Sequence, residues 1–307
     1  MSTSDSSEDA AEFESLVEVA TELGHDGPLP PLQRRAVEVG AGRHVSVVVW
    51  GTGPPELVFV HGGGQNARTW DMVALLLGRP AIAIDLPGHG HSSWRADRDY
   101  GPVASADAVA TTVELLAPEA VAVVGMSLGG LTTIRLAAQR PELVRRAVLV
   151  DVTPGSAQAR QTMTPAQRGP TVLLDGPTTF ATLDEMVAAA VHASPRRPAS
   201  AVRRGVIHHS LQRDDGRWAW RHDMHRTSID PSVRASLWSD LGSLQMPVML
   251  VQGAKSSFVT DADLAKFRSL LPDAGVHLVG RAGHAVQSDQ PELLARMIEG
   301  CPPTKGL

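Results

Sequence analysis

The sequence predicts an α/β fold: a mostly parallel, doubly wound sheet with a helical cap inserted after the sixth strand. Three observations carry that expectation. Short apolar runs alternate with helix-forming segments along most of the 307 residues, the pattern of a sheet covered by helices on both faces. The alternation stops once, from Val152 to about Gln245, where helical stretches follow one another with no clear buried strand. An insert of roughly ninety residues is best accommodated as a lid over the carboxyl edge of the sheet. Finally, Val121-Ala-Val-Val-Gly-Met-Ser127-Leu-Gly-Gly130 runs from strand through a sharp turn into helix, with serine at the apex of a Gly-x-Ser-x-Gly pentapeptide.

Taken in order, residues 1–8 are polar, acidic and expected to be disordered. Ala10 to Leu23 carries apolar residues at helical spacing and Gly24 ends it, before the linker Gly27–Pro31. Ala36–Val39 and Val45–Trp50 read as antiparallel strands joined by a turn at Gly40–Gly42. Leu57–Val60 is a buried strand ending in His61-Gly-Gly-Gly64, and Ala81–Ile84 is another, ending in Asp85-Leu-Pro-Gly-His-Gly-His-Ser92. A helix at Ala104–Leu116 leads to the strand at Val121, and Arg146–Val150 is the next strand, ending at Asp151. Inside the insert, Leu183–Val191 and Val202–Ser210 are the clearest helices. The strand pattern resumes at Val248–Val251, followed by a helix at Ala262–Leu271, a strand at Val276–Val279 and a helix at Pro291–Ile298. The expected organisation is therefore an N-terminal extension over 1–33, a core over 34–151 and 246–307, and a cap over 152–245.

The serine turn has a steric logic. A nucleophile on so tight a corner takes a strained backbone conformation, and its neighbours clash unless they lack side chains. Gly125 and Gly129 meet that need, and Gly130 lets the helix approach the strand. The corner presents the Ser127 hydroxyl near the start of the next helix, where the field favours developing negative charge.

Composition narrows the alternatives. Hydrophobic residues make up 43% and charged residues 20%, ordinary for a globular chain long enough to bury a sizeable core. With net charge −5 and 28 scattered basic residues, nothing points to nucleic acid as a partner. No apolar run approaches the length of a membrane span, and the acidic opening is unlike a signal peptide. The single cysteine, Cys301, excludes an intramolecular disulfide. A cytoplasmic protein is expected; the oligomeric state is left open, with a monomer sufficient.

His61-Gly-Gly-Gly64, Asp85–Ser92, Gly125-Met-Ser-Leu-Gly129 and Gly283-His284 occur in that order, and together they resemble the α/β-hydrolase superfamily over nearly the whole chain after residue 34. His61-Gly-Gly-Gly-Gln-Asn66, Val150-Asp-Val-Thr-Pro154 and Gly283–Pro291, with the N-terminal helix and its Gly-Pro-Leu-Pro linker, are similar to a mycobacterial serine carboxylesterase of that superfamily. The resemblance implies hydrolysis of small to medium carboxylic esters by a serine nucleophile, with no cofactor.

A serine hydroxyl needs an adjacent base. His284, in the loop after the last strand, is the candidate among 12 histidines. His89 and His91 have metal-like spacing, but no cysteine or carboxylate cluster supports them, and no metal is expected. His208 and His209 read as solvated or pocket-wall residues. The tetrahedral intermediate needs hydrogen-bond donors, and the backbone N–H of Leu128, just after the nucleophile, is one. By resemblance the other is Gly63, while Gly62 and Gly64 let the backbone approach substrate.

The acid departs from the usual pattern. In most of the superfamily it follows the strand that is here Val248–Val251, but Gly253-Ala-Lys-Ser-Ser-Phe258 contains no carboxylate. Asp151, at the end of the preceding strand, is the candidate, and Asp261 is the alternative, although Asp261 and Asp263 read as helix N-terminal residues. In the insert, Trp218, Trp220 and Trp238, with Met186 and Met224, are candidates for lining an acyl pocket; the alternative is that they form the cap's own core. A thioesterase, lactonase or carbon–carbon bond hydrolase would use the same triad. A non-catalytic binding protein on this scaffold is the rival class, disfavoured by intact Ser127 and His284. Serine at the corner argues against an epoxide hydrolase or haloalkane dehalogenase, which need a carboxylate there.

Overall fold

The structure is a computed structural model, and it describes residues 12–224 and 229–300; the expected disorder over 1–8 and Cys301 lie outside them. β1 (Leu32–Glu38) and β2 (His44–Trp50) form an antiparallel pair. Their turn is Gly40-Ala41-Gly42, all three at positive φ. β3 (Leu57–Val60), β4 (Ala81–Ile84), β5 (Ala122–Met126) and β6 (Ala147–Val150) follow. The cap contributes β7 (Thr179–Phe180), β8 (Ser210–Gln212) and β9 (Trp218–Trp220), and the core resumes with β10 (Val248–Gly253) and β11 (Gly275–Val279). The eight core strands are ordered β1-β2-β4-β3-β5-β6-β10-β11, and every pairing from β4 onward is parallel.

Strand periodicity divides the core into two layers. Val58, Val60, Ile82 and Ile84 face Val109, Val113 and Ile134 of the helices Pro102–Leu116 and Leu128–Gln139. Leu57 and Phe59 face the opposite way, toward Trp70, Val73, Leu294 and Ile298, with the Phe59 and Trp70 rings stacked at 5.1 Å. Both faces of the central strands are dry, which is why those strands read as unbroken apolar runs. The N-terminal helix spans Leu16–Leu23, buries Leu16, Val19 and Ala20, and ends at Gly24 in the left-handed region (φ 63°). No helix among the described residues is long and apolar enough to cross a membrane.

Two expectations about the insert are corrected. It is not wholly helical: β7, β9 and β8 form an antiparallel three-stranded sheet beside the helices Leu183–Ala193 and Ala199–His209. These strands are two or three residues long, too short for alternation to register in sequence. Nor does the cap run to residue 245. The helix Pro231–Ser243 lies on the helix Leu128–Gln139, with Leu237 and Leu241 fully buried in the core layer. Arg135 ties the two together through Ser236 (2.6 Å) and Asp240 (3.1 Å). By packing, the chain has returned to the core at Pro231. The cap meets the core at the Asp85–Ser92 turn, where Gly90 N–H donates to Arg221 O and Asp223 N–H to Gly88 O, both at 2.8 Å.

Candidate active site

Ser127 caps the end of β5 with φ 50° and ψ −117°, a conformation that L-residues rarely adopt. The neighbouring glycines make it possible. A Cβ on Gly129 would lie 2.2 Å from the Val60 carbonyl oxygen, and one on Gly125 would lie 2.5 Å from Gly129 O. The corner is thus wedged between β3 and its own helix, and its strain is held by close backbone packing.

His284 comes from the loop after β11. Its Nε2 is 3.1 Å from Ser127 Oγ and its Nδ1 is 2.7 Å from Asp151 Oδ2. A carboxylate only accepts, so the proton belongs on Nδ1 and Nε2 is left as the acceptor for the serine hydroxyl. The side chain is 6% exposed and its ring stacks on Phe258 at 3.6 Å between centroids, 14° from parallel. Ring orientation is therefore fixed from two directions.

Asp151 is fully buried at the end of β6, with φ 51° and its N–H donating to Val251 O of β10 at 2.7 Å. Its Oδ1 accepts the Gly253 N–H at 2.9 Å, and Oδ2 accepts the Ser256 hydroxyl as well as the imidazole. The loop that carries no carboxylate instead holds one. Asp261 and Asp263 sit where the sequence places them, at the start of the helix Asp261–Leu270, with Asp263 in a capping box with Thr260.

The N–H groups of Gly63 and Leu128 border the same cavity, and no described residue accepts from either. Gly62 N–H is taken by Gln65 Oε1 at 3.0 Å. It serves the shape of the loop: a Cβ there would meet the Met126 sulfur at 2.4 Å. His61 is wholly buried and bridges the ends of β3 and β4, with Nε2 accepting from Leu86 N–H at 2.9 Å. His89 Nδ1–H donates to Pro87 O at 3.0 Å and the ring stacks on His222; burial lowers the pKa of His61, His89 and His222, keeping these rings neutral. Among the described residues no group of three or more His, Cys, Asp or Glu is placed to hold a metal.

The cavity over Ser127 is about 430 Å³ and mostly apolar, with Met126, Leu131, Val152, Met224, Ile229 and Phe258 in its walls. Gly62, Gly63 and Gly64 line it, but Trp218 and Trp220 do not. Trp220 packs edge-on against Phe180 inside the cap's own core of Met186, Ala190, Val202 and Val206, with Trp218 at its margin. Trp238 belongs to the main core, under Lys266 at 4.4 Å. Aromatic residues in a small cap are its largest source of buried area, and that demand takes them from the substrate cavity. Sequence reasoning missed Ser256 and Phe258; the signal was a polar-aromatic loop at the position where an acid was sought and not found.

The chain matches the model of the alpha/beta hydrolase family over residues 57–297. It is 47% identical to the esterase Rv0045c of Mycobacterium tuberculosis over 290 residues, 94% of this chain and 95% of that one. A crystal structure of that esterase superposes with a TM-score of 0.83 at 44% identity, covering 98% of each chain. The 2-(acetamidomethylene)succinate hydrolase of Mesorhizobium japonicum is 28% identical over 80% of this chain and 86% of its own length. The crystal structure of a hydrolase of that name aligns with a TM-score of 0.74 at 27% identity, covering 88% of this chain and 98% of that one.

Proposed function

The chain belongs to the alpha/beta hydrolase family, and on that premise we propose that it hydrolyses small to medium carboxylic esters through an acyl-enzyme on Ser127. The observation that carries the reading is the unbroken line of contacts from Ser127 Oγ to His284 Nε2 (3.1 Å) and from His284 Nδ1 to Asp151 Oδ2 (2.7 Å), opening on an apolar cavity. Serine attacks the ester carbonyl as its proton passes to His284 Nε2. Asp151 stabilises the imidazolium that forms, and the tetrahedral oxyanion is held by the N–H groups of Gly63 and Leu128. Collapse expels the alcohol, which takes the proton from His284. Water then repeats the cycle: His284 removes its proton, hydroxyl adds to the acyl carbon, and collapse returns the proton to Ser127 and releases the acid.

The esterase activity of the mycobacterial relative supports the substrate class, since it spans nearly the whole of both chains. Cap residues between Val152 and Met224 wall the cavity and set which esters enter. The single cysteine in the sequence suits the reducing cytosol. The test is labelling by a fluorophosphonate with mass spectrometry. We expect one adduct, on Ser127, with labelling and p-nitrophenyl acetate turnover both lost in Ser127→Ala. An adduct on another serine, or turnover persisting in that variant, overturns the assignment.

A further inference from the structure

Behind the ester cavity lies a second chamber that the reaction above does not use. It holds about 250 Å³, and the two spaces share a wall made of the glycine loop at Gly63–Gln65, the turn residues Pro170, Thr171 and Leu174, and His222. The cap contributes Leu174 to that wall from the 3-10 turn Gly169–Asp175, together with Pro170 and Thr171 of the same turn and His222. Its Cδ2 lies 2.2 Å from where a Cβ on Gly64 would be, so the leucine tip rests on the bare backbone of the glycine loop. Gly64 has φ +74° and no side chain, which is what allows the contact. Leu174 is half-buried and is the residue of that wall whose tip meets the glycine loop.

Both spaces are walled mainly by carbon, but the chamber also carries Asp71, Arg197, Arg204, His208 and His209 in its lining. The arginines are engaged: Arg197 with Asp289 at 3.1 Å and Arg204 with Glu22. Asp71 Oδ2 accepts from Arg68 Nε at 2.7 Å and His209 Nδ1 donates to Gly205 O at 2.5 Å, but four single atoms are left over. Asp71 Oδ1, His209 Nε2, His222 Nε2 and Trp220 Nε1 are buried, belong to residues lining the chamber, and have no hydrogen-bond partner among the described residues. Native interiors leave few such atoms unpaired, and four around one space mark it as a place for polar atoms. Asp71 is wholly enclosed, and burial pushes its carboxyl up to about 6 despite the Arg68 guanidinium at 2.7 Å, so at neutral pH it is mainly an acceptor.

We propose that Leu174 is the partition that limits the length of one arm of the ester, and that the chamber behind it is a subsite for a longer arm ending in a hydroxyl or carbonyl group. The proposal rests on the esterase reading. A plain alkyl end would leave the four polar atoms unpaired, whereas a hydroxyl end can donate to Asp71 Oδ1 or His209 Nε2 and a hydroxyl or carbonyl end can accept from the Trp220 indole N–H. Refusing or accepting one methylene changes rates by about 10–200-fold, so a wall of this kind is a strong selector.

The test uses two series on the wild-type protein and on Leu174→Ala, Leu174→Val and Leu174→Trp. In one the acyl arm varies on p-nitrophenol (acetate, butanoate, octanoate, ω-hydroxyoctanoate); in the other the alcohol arm varies on acetate (ethyl, butyl, octyl, ω-hydroxyoctyl). In at least one series Leu174→Ala should raise kcat/KM for the ω-hydroxylated long arm, relative to the shortest member, by about tenfold or more. The plain octyl arm should gain less, Leu174→Val should fall between, and Leu174→Trp should go the other way. Ratios unchanged in both series while acetate turnover persists would overturn the partition, and equal gains for alkyl and hydroxylated arms would overturn the polar subsite. A second readout does not need catalysis: in Ser127→Ala protein, calorimetric affinity for octanediol should strengthen about tenfold when Leu174→Ala is added, and an unchanged affinity overturns the proposal. Loss of p-nitrophenyl acetate turnover in the wild type would instead strike at the esterase reading, with the octanediol result still deciding the chamber.

Discussion

Asp151→Asn is the substitution that separates geometry from charge. The side chain keeps its shape, but its two oxygens have different duties: Oδ1 accepts from Gly253 N–H at 2.9 Å, and Oδ2 accepts from His284 Nδ1 at 2.7 Å and from Ser256. An asparagine satisfies Gly253 only by putting its oxygen at the Oδ1 position, which turns its NH2 toward His284. Nδ1 must then become the acceptor, the proton moves to Nε2, and Ser127 loses its base. The flipped amide restores the tautomer but points NH2 at the Gly253 N–H, leaving a buried donor unpaired at a cost of about 1–3 kcal/mol. Neither arrangement supplies the negative charge that stabilises the imidazolium. The expected fall in kcat is therefore about 10³–10⁴-fold, or roughly 4–5.5 kcal/mol at about 1.4 kcal/mol per decade. Steady-state hydrolysis of p-nitrophenyl acetate measures it, and an unchanged near-UV spectrum shows that the fold survives. Asp261→Asn, at the exposed start of its helix, should stay within about tenfold of the parent. If Asp151→Asn turns over within tenfold of the parent, or Asp261→Asn is the inactive protein, the acid assignment is wrong.

Ser127→Ala and His284→Ala should each cost about 10⁴-fold or more in kcat, and the double variant little beyond either alone; additive losses measured under the same conditions would place one of the two outside the mechanism. Met186→Ala, emptying the centre of the cap's core where Met186 is fully buried, should lower stability by about 2–5 kcal/mol in denaturant melts while leaving the ratio of acetate to butanoate turnover unchanged. Acid should destabilise the fold: burial holds His209 down to about 4 against an ordinary 6.5, so the unfolded chain takes the proton first, and stability complete above about 6.5 is lost as pH falls toward 4. Asp71, raised from 3.8 to about 6, acts in the opposite sense, favouring the fold below 3.8 and losing that contribution as pH rises through 6, but His61, His208 and His222 side with His209. Urea midpoints should fall between pH 7 and 5, with a shallower slope in His209→Gln; a flat profile would mean that these rings do not stay neutral.

What the sequence discloses, it discloses where one force dominates. β3 and β4 coincide with their apolar runs, Leu57–Val60 and Ala81–Ile84, because a strand buried on both faces admits nothing else. The serine corner is legible because only glycine tolerates its close contacts. The insert is less legible because several packings compete for the same residues. The helix Pro231–Ser243 shows an apolar face through Val233, Leu237 and Leu241, yet no local signal says whether that face meets the cap or the helix after the nucleophile. Trp218 and Trp220 suit a pocket wall and a small core equally well by type, and the need to close the cap's interior decides between them.

The position of the acid follows from how β6, β10 and the histidine loop meet. Asp151 stands one residue past β6, and its N–H is tied to Val251 of β10, so its carboxylate emerges beside the end of β10. There Gly253 offers its N–H to Oδ1, and because it lacks a side chain the loop of His284 can cross it: a Cβ would lie 2.1 Å from Gly283 O. Ser256, reaching back from the same loop, fills the remaining acceptor site on Oδ2, and Phe258 lies flat on the imidazole. A carboxylate at residue 256 would sit against a second, fully buried carboxylate, and two such charges cannot both stay ionised at that distance. Aspartate at 151 and a neutral donor at 256 are therefore one choice, made together, and the acid-free loop that made the sequence look irregular is what leaves room for the proposed acid at the end of β6.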